Sequence, residues 1–143
     1  ERLNWQDIDL KARHIVVGKS AAKTASRRIV PVAENLAFWL APYAGRQGSV
    51  WPQGRICFHK RQQATAKAAG VPWKRNAMRH SFASYSIALC NDAGRVAGEL
   101  GNSAAVVHKH YRELVKPADA KQWFTVKPGT ATNIVTMPVA AAA

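Results

Sequence analysis

The chain is poor in acidic residues. Only 8 Asp and Glu stand against 21 Lys and Arg in 143 residues, which gives a formal net charge of +13. No acid occurs between Glu34 and Asp92, a stretch with eight basic residues: Arg46, Arg55, Lys60, Arg61, Lys67, Lys74, Arg75 and Arg79. Solvated faces usually mix both signs. The imbalance therefore predicts a surface that neutralises phosphates, and nucleic acid as the partner.

Several other features are scarce or absent. The two cysteines, Cys57 and Cys90, lie far apart, which argues against a disulfide framework and fits a reducing, cytoplasmic compartment. No run of 18 apolar residues occurs, so no membrane span is predicted, and no signal peptide is visible. The motifs GxGxxG, P-loop, HExxH and CxxC are missing, and neither a metal nor another cofactor is expected.

Length and composition favour one globular domain. With 48% apolar residues, a folded body over 1–124 is expected, and the chain begins at Glu1 inside what looks like a continuing element, as a fragment would. Residues 125–143 are rich in Thr, Pro, Val and Ala without periodicity, which predicts a flexible tail.

Local patterns predict an α+β fold that is predominantly helical. Two β-type runs, His14–Val17 and Ile29–Val32, flank a basic segment and predict a small β-hairpin packed beside a helical bundle. Before them, residues 3–10 suggest a helix end and turn. Helical patterns cover 34–44, 58–69, 76–90, 92–100, 103–111 and 117–124. The expected buried stripes are Leu36, Trp39, Leu40 and Tyr43 in the first helix, and Met78, Phe82, Tyr85 and Leu89 in the third.

Three residues could carry phosphoryl transfer without a metal. Such a reaction needs a nucleophile, a cation that stabilises the charged transition state, and an acid for the leaving oxygen. Tyr111 could be the nucleophile, Arg79 the bidentate clamp and Lys23 the acid. Taken singly, each has a more ordinary interpretation: a core tyrosine, a solvated arginine and a loop lysine that touches phosphate.

Order and spacing make a family resemblance specific. Residues 79–84 read Arg-His-Ser-Phe-Ala-Ser and resemble the Arg-His-Ser/Thr-Phe-Ala-Ser/Thr box of tyrosine recombinases. Residues 100–103, Leu-Gly-Asn-Ser, resemble their Leu-Gly-His-Ser turn, and 110–114 lies where the nucleophilic tyrosine is found. Upstream, Leu-x-Trp-x-Asp-Ile-Asp at 3–9 and Lys23-Thr24 resemble the segments around the family's catalytic hairpin. The resemblance spans roughly 1–124.

The resemblance implies a site-specific recombinase or integrase that acts through a 3′-phosphotyrosyl intermediate. Tyr111 would attack the phosphate, Arg79 would stabilise its charge, and Lys23, with Lys19 as its rival, would protonate the 5′-oxygen. Asn76 stands where the family usually has His, and Asn102 stands where it usually has His or Trp. Double-stranded DNA would be the partner, with self-association into a multimer on it. The expected DNA contacts are Lys19, Arg27, Arg28, Arg55, Lys60, Arg61, Lys74 and Arg75.

The departures leave alternatives open. Asn76 and Asn102 each precede a helix and could be N-caps instead of phosphate ligands. The family's first catalytic arginine would lie before residue 1, and one lost donor costs roughly 3–4 kcal/mol of transition-state stabilisation, so this fragment is expected to be inactive or slow. A degenerate, non-catalytic DNA-binding module is the main alternative, and a generic RNA-binding protein a weaker one. His80 is interpreted as structural. His108 and His110 could assist as acids or bases, although a solvated helix face is the favoured interpretation.

Overall fold

A computed structural model of the chain describes residues 3–18, 27–111 and 115–129. Within these ranges the fold is α+β and predominantly helical, as predicted. The helices are α1 Glu34–Leu40, α2 Gly54–Ala68, α3 Ala77–Cys90, α4 Ala93–Leu100, α5 Ala104–Tyr111 and α6 Pro117–Trp123. Short 3-10 helices cover Trp5–Asp7 and Ala41–Tyr43. In the described part of the chain no helix has the length and apolar character needed to cross a membrane.

The sheet has one strand more than the predicted hairpin. Strands β1 (Ile8–Asp9), β2 (His14–Val17) and β3 (Arg28–Pro31) form an antiparallel sheet in the order β1-β2-β3. Thus the helix end and turn expected over residues 3–10 is a single 3-10 turn followed by a two-residue strand. At the far end of the sheet Val17 pairs with Arg28, which fixes both ends of the basic loop between β2 and β3.

The core lies where α3, α4 and α5 meet. Its buried members come from all three helices: Ala83, Ile87, Val96, Ala97, Leu100, Val107 and Tyr111. Helix α6 covers another part of α3, where Tyr85 and Trp123 stack with ring centroids 5.0 Å apart. The bundle therefore holds α3 centrally, in contact with each of α4, α5 and α6.

The stripe predicted for α3 is wrong at both ends. Met78 and Leu89 are 57% and 45% exposed, whereas the buried residues are Ala83, Ser84, Ser86 and Ile87. Small side chains on that face let neighbouring helices approach closely, so apolar character alone did not mark it. In α1 the predicted stripe is only partly covered: no residue of that helix is fully buried, and Leu36 is 38% exposed.

Residues 125–129 contact α1. The Trp39 indole donates to the carbonyl of Val126 (3.2 Å), and Lys127 lies 2.7 Å from the Glu34 carboxylate. The flexible tail predicted for 125–143 otherwise falls outside the described residues.

Candidate functional site

The turn after α4 is shaped by Gly101. Its φ of +68° is left-handed, and the Asn102 amide donates to the carbonyl of Ala97 (2.9 Å), a Schellman-type closure. Asp92 begins the same helix by accepting a hydrogen bond from the amide of Arg95 (2.9 Å). Helix α4 is therefore capped at both ends, and its C-terminal turn presents Asn102 at a defined position.

Arg79 holds this turn. One of its terminal nitrogens, Nη2, donates to the carbonyl of Leu100 (2.8 Å) and to Oδ1 of Asn102 (2.9 Å). The carbonyls at a helix C-terminus carry partial negative charge, which favours a cation there. Arg79 as a residue is still exposed. Its guanidinium is thus fixed by one nitrogen and keeps further N–H groups that can meet an anion.

Arg28 reaches the same helix end from β3. Its Nε donates to the carbonyl of Glu99 (3.3 Å), and a Cβ on Gly101 would lie 3.0 Å from its Nη1. The Glu99 carboxylate is engaged by Arg95 (3.1 Å), a hydrogen bond that raises the pKa of Arg95. The acid nearest this turn is therefore charge-compensated. Arg28 and Arg79 thus both donate to carbonyls at the C-terminus of α4.

Tyr111 lies at the other end of α5. It is 7% exposed, and its hydroxyl is 2.9 Å from Nδ1 of His80. His80 follows Arg79 directly on α3, so consecutive residues contact the turn before α5 and the last residue of α5. Asn102 and Tyr111 are nine positions apart, roughly 13 Å along a helix axis. The contact to His80 escaped the sequence analysis, because nothing local links residues separated by 31 positions.

Of the two alternatives for the asparagines, side-chain capping is not observed at either position. Asn76 is exposed, has a left-handed φ of +56°, and makes no side-chain capping bond to α3. The oxygen of Asn102 accepts from Arg79 instead, and Oγ of Ser103 accepts from the amide of Val106 (3.4 Å) at the start of α5. Asn102 therefore directs its amide oxygen to Arg79 and keeps its NH₂ group as a donor.

The remaining predicted residues are spread over several elements. Lys19 and Lys23 lie outside the described residues, although the strand ends that flank them are placed by the Val17–Arg28 pair. Arg61 is half-buried, with its guanidinium 5.7 Å from the ring centroid of Trp51. The others are exposed: Arg27, Arg55, Lys60, Lys74 and Arg75. Helix α2 and the segment before α3 thus present exposed basic side chains in a stretch of sequence without acids.

Comparison with protein-family models, with curated proteins and with solved structures finds no match for this chain. The resemblance to tyrosine recombinases accordingly depends on the sequence motifs and their order.

Proposed function

We propose that this chain is a DNA-binding catalytic-domain fragment of a tyrosine recombinase, which cuts and rejoins DNA through a 3′-phosphotyrosyl intermediate. The observation that carries the proposal is that two distant motifs contact the third. The Asn102 turn and Tyr111 each contact one of two consecutive residues in the motif on α3. Arg79 contacts the Asn102 turn across 23 positions, and His80 contacts Tyr111 across 31. A chance match of short motifs gives no reason for them to meet in space.

The chemistry follows from the groups present. Tyr111 attacks the scissile phosphate, and the free N–H groups of Arg79 bind its non-bridging oxygens. Asn102, whose oxygen is already bonded to Arg79 (2.9 Å), offers its NH₂ group to the same phosphate. Asn76 stands exposed just before α3 as a second neutral donor. Lys23, by the resemblance, protonates the departing 5′-oxygen.

DNA binding is supported by the charge distribution. Lys74, Arg75 and Arg79 are exposed around the first turn of α3, and α2 adds Arg55 and Lys60. Contacts of this kind go mostly to phosphates, which position a duplex without specifying its sequence. The expected assembly is a multimer on DNA.

A degenerate DNA-binding module is the second candidate. It is favoured by the burial of Tyr111, at 7% exposure, and by asparagine at both positions where the family usually has histidine or tryptophan. In such a protein Tyr111 and His80 would only pack α5 against α3.

Covalent trapping separates the two functions. The complete product of the gene is incubated with nicked and supercoiled plasmid, quenched with detergent, and examined for DNA-linked protein. The complete product is used because the resemblance places one more catalytic arginine before residue 1. We expect an adduct that Tyr111→Phe abolishes and Tyr85→Phe, a change at the α3–α6 stack, retains.

The other outcomes are equally informative. Tight, salt-sensitive binding without an adduct would establish the degenerate module. An adduct that persists in Tyr111→Phe would show that another residue is the nucleophile. Equal affinity for RNA and DNA would favour the generic RNA-binding protein.

A further inference from the structure

The Tyr111 hydroxyl has one hydrogen-bond partner within the described residues, Nδ1 of His80 at 2.9 Å. The two rings are tilted by 41°, with centroids 5.6 Å apart. His80 is exposed whereas Tyr111 is buried, so the hydrogen bond links the buried phenol to a residue that solvent reaches. A neutral imidazole with its hydrogen on Nε2 has its lone pair on Nδ1, and this tautomer accepts the phenol hydrogen.

We propose that His80 is the general base that accepts the Tyr111 proton when the tyrosine attacks DNA. This inference rests on the proposed recombinase function. A tyrosine phenol is almost wholly protonated at neutral pH and is a weak nucleophile in that form. A base within about 2.6–3.2 Å of the proton it removes supplies the required activation, and His80 meets that distance.

The neighbouring groups of the described chain do not offer the same geometry. The ring of His110 is 6.5 Å from the Tyr111 ring, edge to face, and makes no hydrogen bond to its hydroxyl. The Arg79 guanidinium faces the other end of α5 and cannot accept a proton. Asn76, where the family usually has a histidine, cannot carry a proton at neutral pH. Among these described neighbours, His80 combines a hydrogen bond to the Tyr111 hydroxyl with a nitrogen that can accept its proton.

The proposed step balances. The Tyr111 oxygen bonds to phosphorus while its proton moves to Nδ1 of His80, the phosphorus–5′-oxygen bond breaks, and the 5′-oxygen takes a proton from Lys23. Rejoining reverses each transfer: the 5′-hydroxyl attacks phosphorus and loses its proton to Lys23. The imidazolium then returns its proton to the departing phenolate.

The test compares His80→Ala and His80→Gln with the unaltered complete gene product in single-turnover attachment to nicked plasmid. General-base catalysis contributes about 10²–10⁴-fold. We therefore expect His80→Ala to slow attachment at least about 100-fold, with unchanged plasmid affinity. Added imidazole should restore part of the rate in His80→Ala, where the space beside the Tyr111 hydroxyl becomes open to it, and none in His80→Gln or Tyr111→Phe.

A second substrate separates activation of the nucleophile from protonation of the leaving group. Once the adduct is mapped, an oligonucleotide is made with sulfur in place of the 5′-bridging oxygen, because a thiolate leaves without a proton. We expect this substrate to restore attachment in Lys23→Ala and to leave His80→Ala slow. A residue that merely supports the fold would not produce this split.

The contrary results are clear. Faster attachment in His80→Ala would mean that the hydrogen bond restrains Tyr111, and would overturn the proposal. The proposal would also be overturned if His80→Ala lost attachment in the same way as a control variant destabilised to the same melting temperature. In that case neither added imidazole nor the sulfur-containing substrate would tell the two variants apart. An unaltered protein that forms no adduct would overturn the recombinase function and the base together. A normal adduct with full activity in His80→Ala would overturn the base alone.

Discussion

Nη2 of Arg79 and Oδ1 of Asn102 are 2.9 Å apart, which joins the start of α3 to the turn that ends α4. The same nitrogen also donates to the Leu100 carbonyl. Because both acceptors are neutral, the arginine keeps its full charge while its position is fixed. A clamp for a phosphate needs this combination of rigidity and uncompensated charge.

Replacing the side-chain amide of Asn102 by a carboxylate should lower covalent attachment to DNA without lowering the free energy of unfolding. Asn102→Asp keeps an acceptor for Arg79 and makes the bond charge-assisted, so the free energy of unfolding should stay constant or rise by up to about 1 kcal/mol. The new negative charge neutralises the guanidinium and repels DNA. We expect covalent attachment to fall at least about 100-fold, by analogy with one lost transition-state donor.

Urea denaturation and detergent trapping measure the two effects. Asn91→Asp is the control, because it adds the same charge just after α3, at the end opposite Arg79. If both variants lose attachment equally, total charge rather than the Arg79–Asn102 pair is responsible.

Gly101 should be intolerant of any side chain. Its φ is +68°, and an added Cβ would lie 3.0 Å from Nη1 of Arg28. Backbone strain alone costs about 1–2 kcal/mol, and the displaced guanidinium would lose its bond to Glu99. We expect Gly101→Ala to lower the free energy of unfolding by about 2 kcal/mol in urea titrations.

Gly98 in the same helix is the matched control. It has open space around the Cβ position and ordinary helical backbone. Gly98→Ala should raise the free energy of unfolding by about 0.5–1 kcal/mol. Equal effects at the two glycines would contradict the proposed close approach of Arg28.

The elements were largely predictable because their ends carry strong local signals. Strand β2 covers His14–Val17 as expected, and α4 differs from its prediction only at residue 92 because Asp92 and Gly101 punctuate it. Helix α2 was misplaced by four residues at its start. The segment before it is rich in Gly and Pro, which favours a loop, yet the helix already begins at Gly54.

The contacts among the predicted residues were not predictable from their spacing. Spacing singled out Arg79, Asn102 and Tyr111, but their contacts depend on how α3 packs against α4 and α5. That packing is set by small buried residues such as Ala83 and Ser84, whose role no periodicity reveals. The same packing brings His80 to Tyr111, a partnership that local sequence does not encode.

The core between α4 and α5 should respond to truncation at one of two adjacent valines. Val107 is fully buried, and Val107→Ala, which removes two methyl groups, should lower the free energy of unfolding by about 2 kcal/mol. Val106 is 41% exposed, and Val106→Ala should change the free energy of unfolding by less than about 0.5 kcal/mol. Chemical denaturation of the two variants gives the comparison. Similar losses would mean that α5 is rotated from the orientation described.

The ion pair between Glu34 and Lys127 should make a pH-dependent contribution to stability. The hydrogen bond and charge of Lys127 lower the pKa of the Glu34 carboxyl. The pKa of Glu34 is thus lower in the folded state than in the unfolded state. The pair therefore stabilises the fold fully at pH values above the unfolded-state pKa, and this stabilisation is lost as the pH falls through the folded-state pKa. Since the carboxylate is exposed, the effect should be small and weakened by salt.

A double-mutant cycle with Glu34→Gln and Lys127→Met measures this pair. We expect coupling at neutral pH and none in acid below the carboxylate titration. Coupling that persists unchanged in acid would have to come from a hydrogen bond or packing between the two side chains and not from their opposite charges.

DNA affinity should depend on salt through the exposed basic residues of α2 and of the segment before α3. Each phosphate contact contributes about 0.9 to the slope of log affinity against log salt. Lys60→Gln and Lys74→Gln should each lower the slope by about that amount on any duplex sequence. Lys121→Gln, on α6 and outside the acid-free interval, should leave it unchanged. Equal decreases in all three would indicate attraction by net charge alone, since a defined DNA-binding face must distinguish α6 from α2.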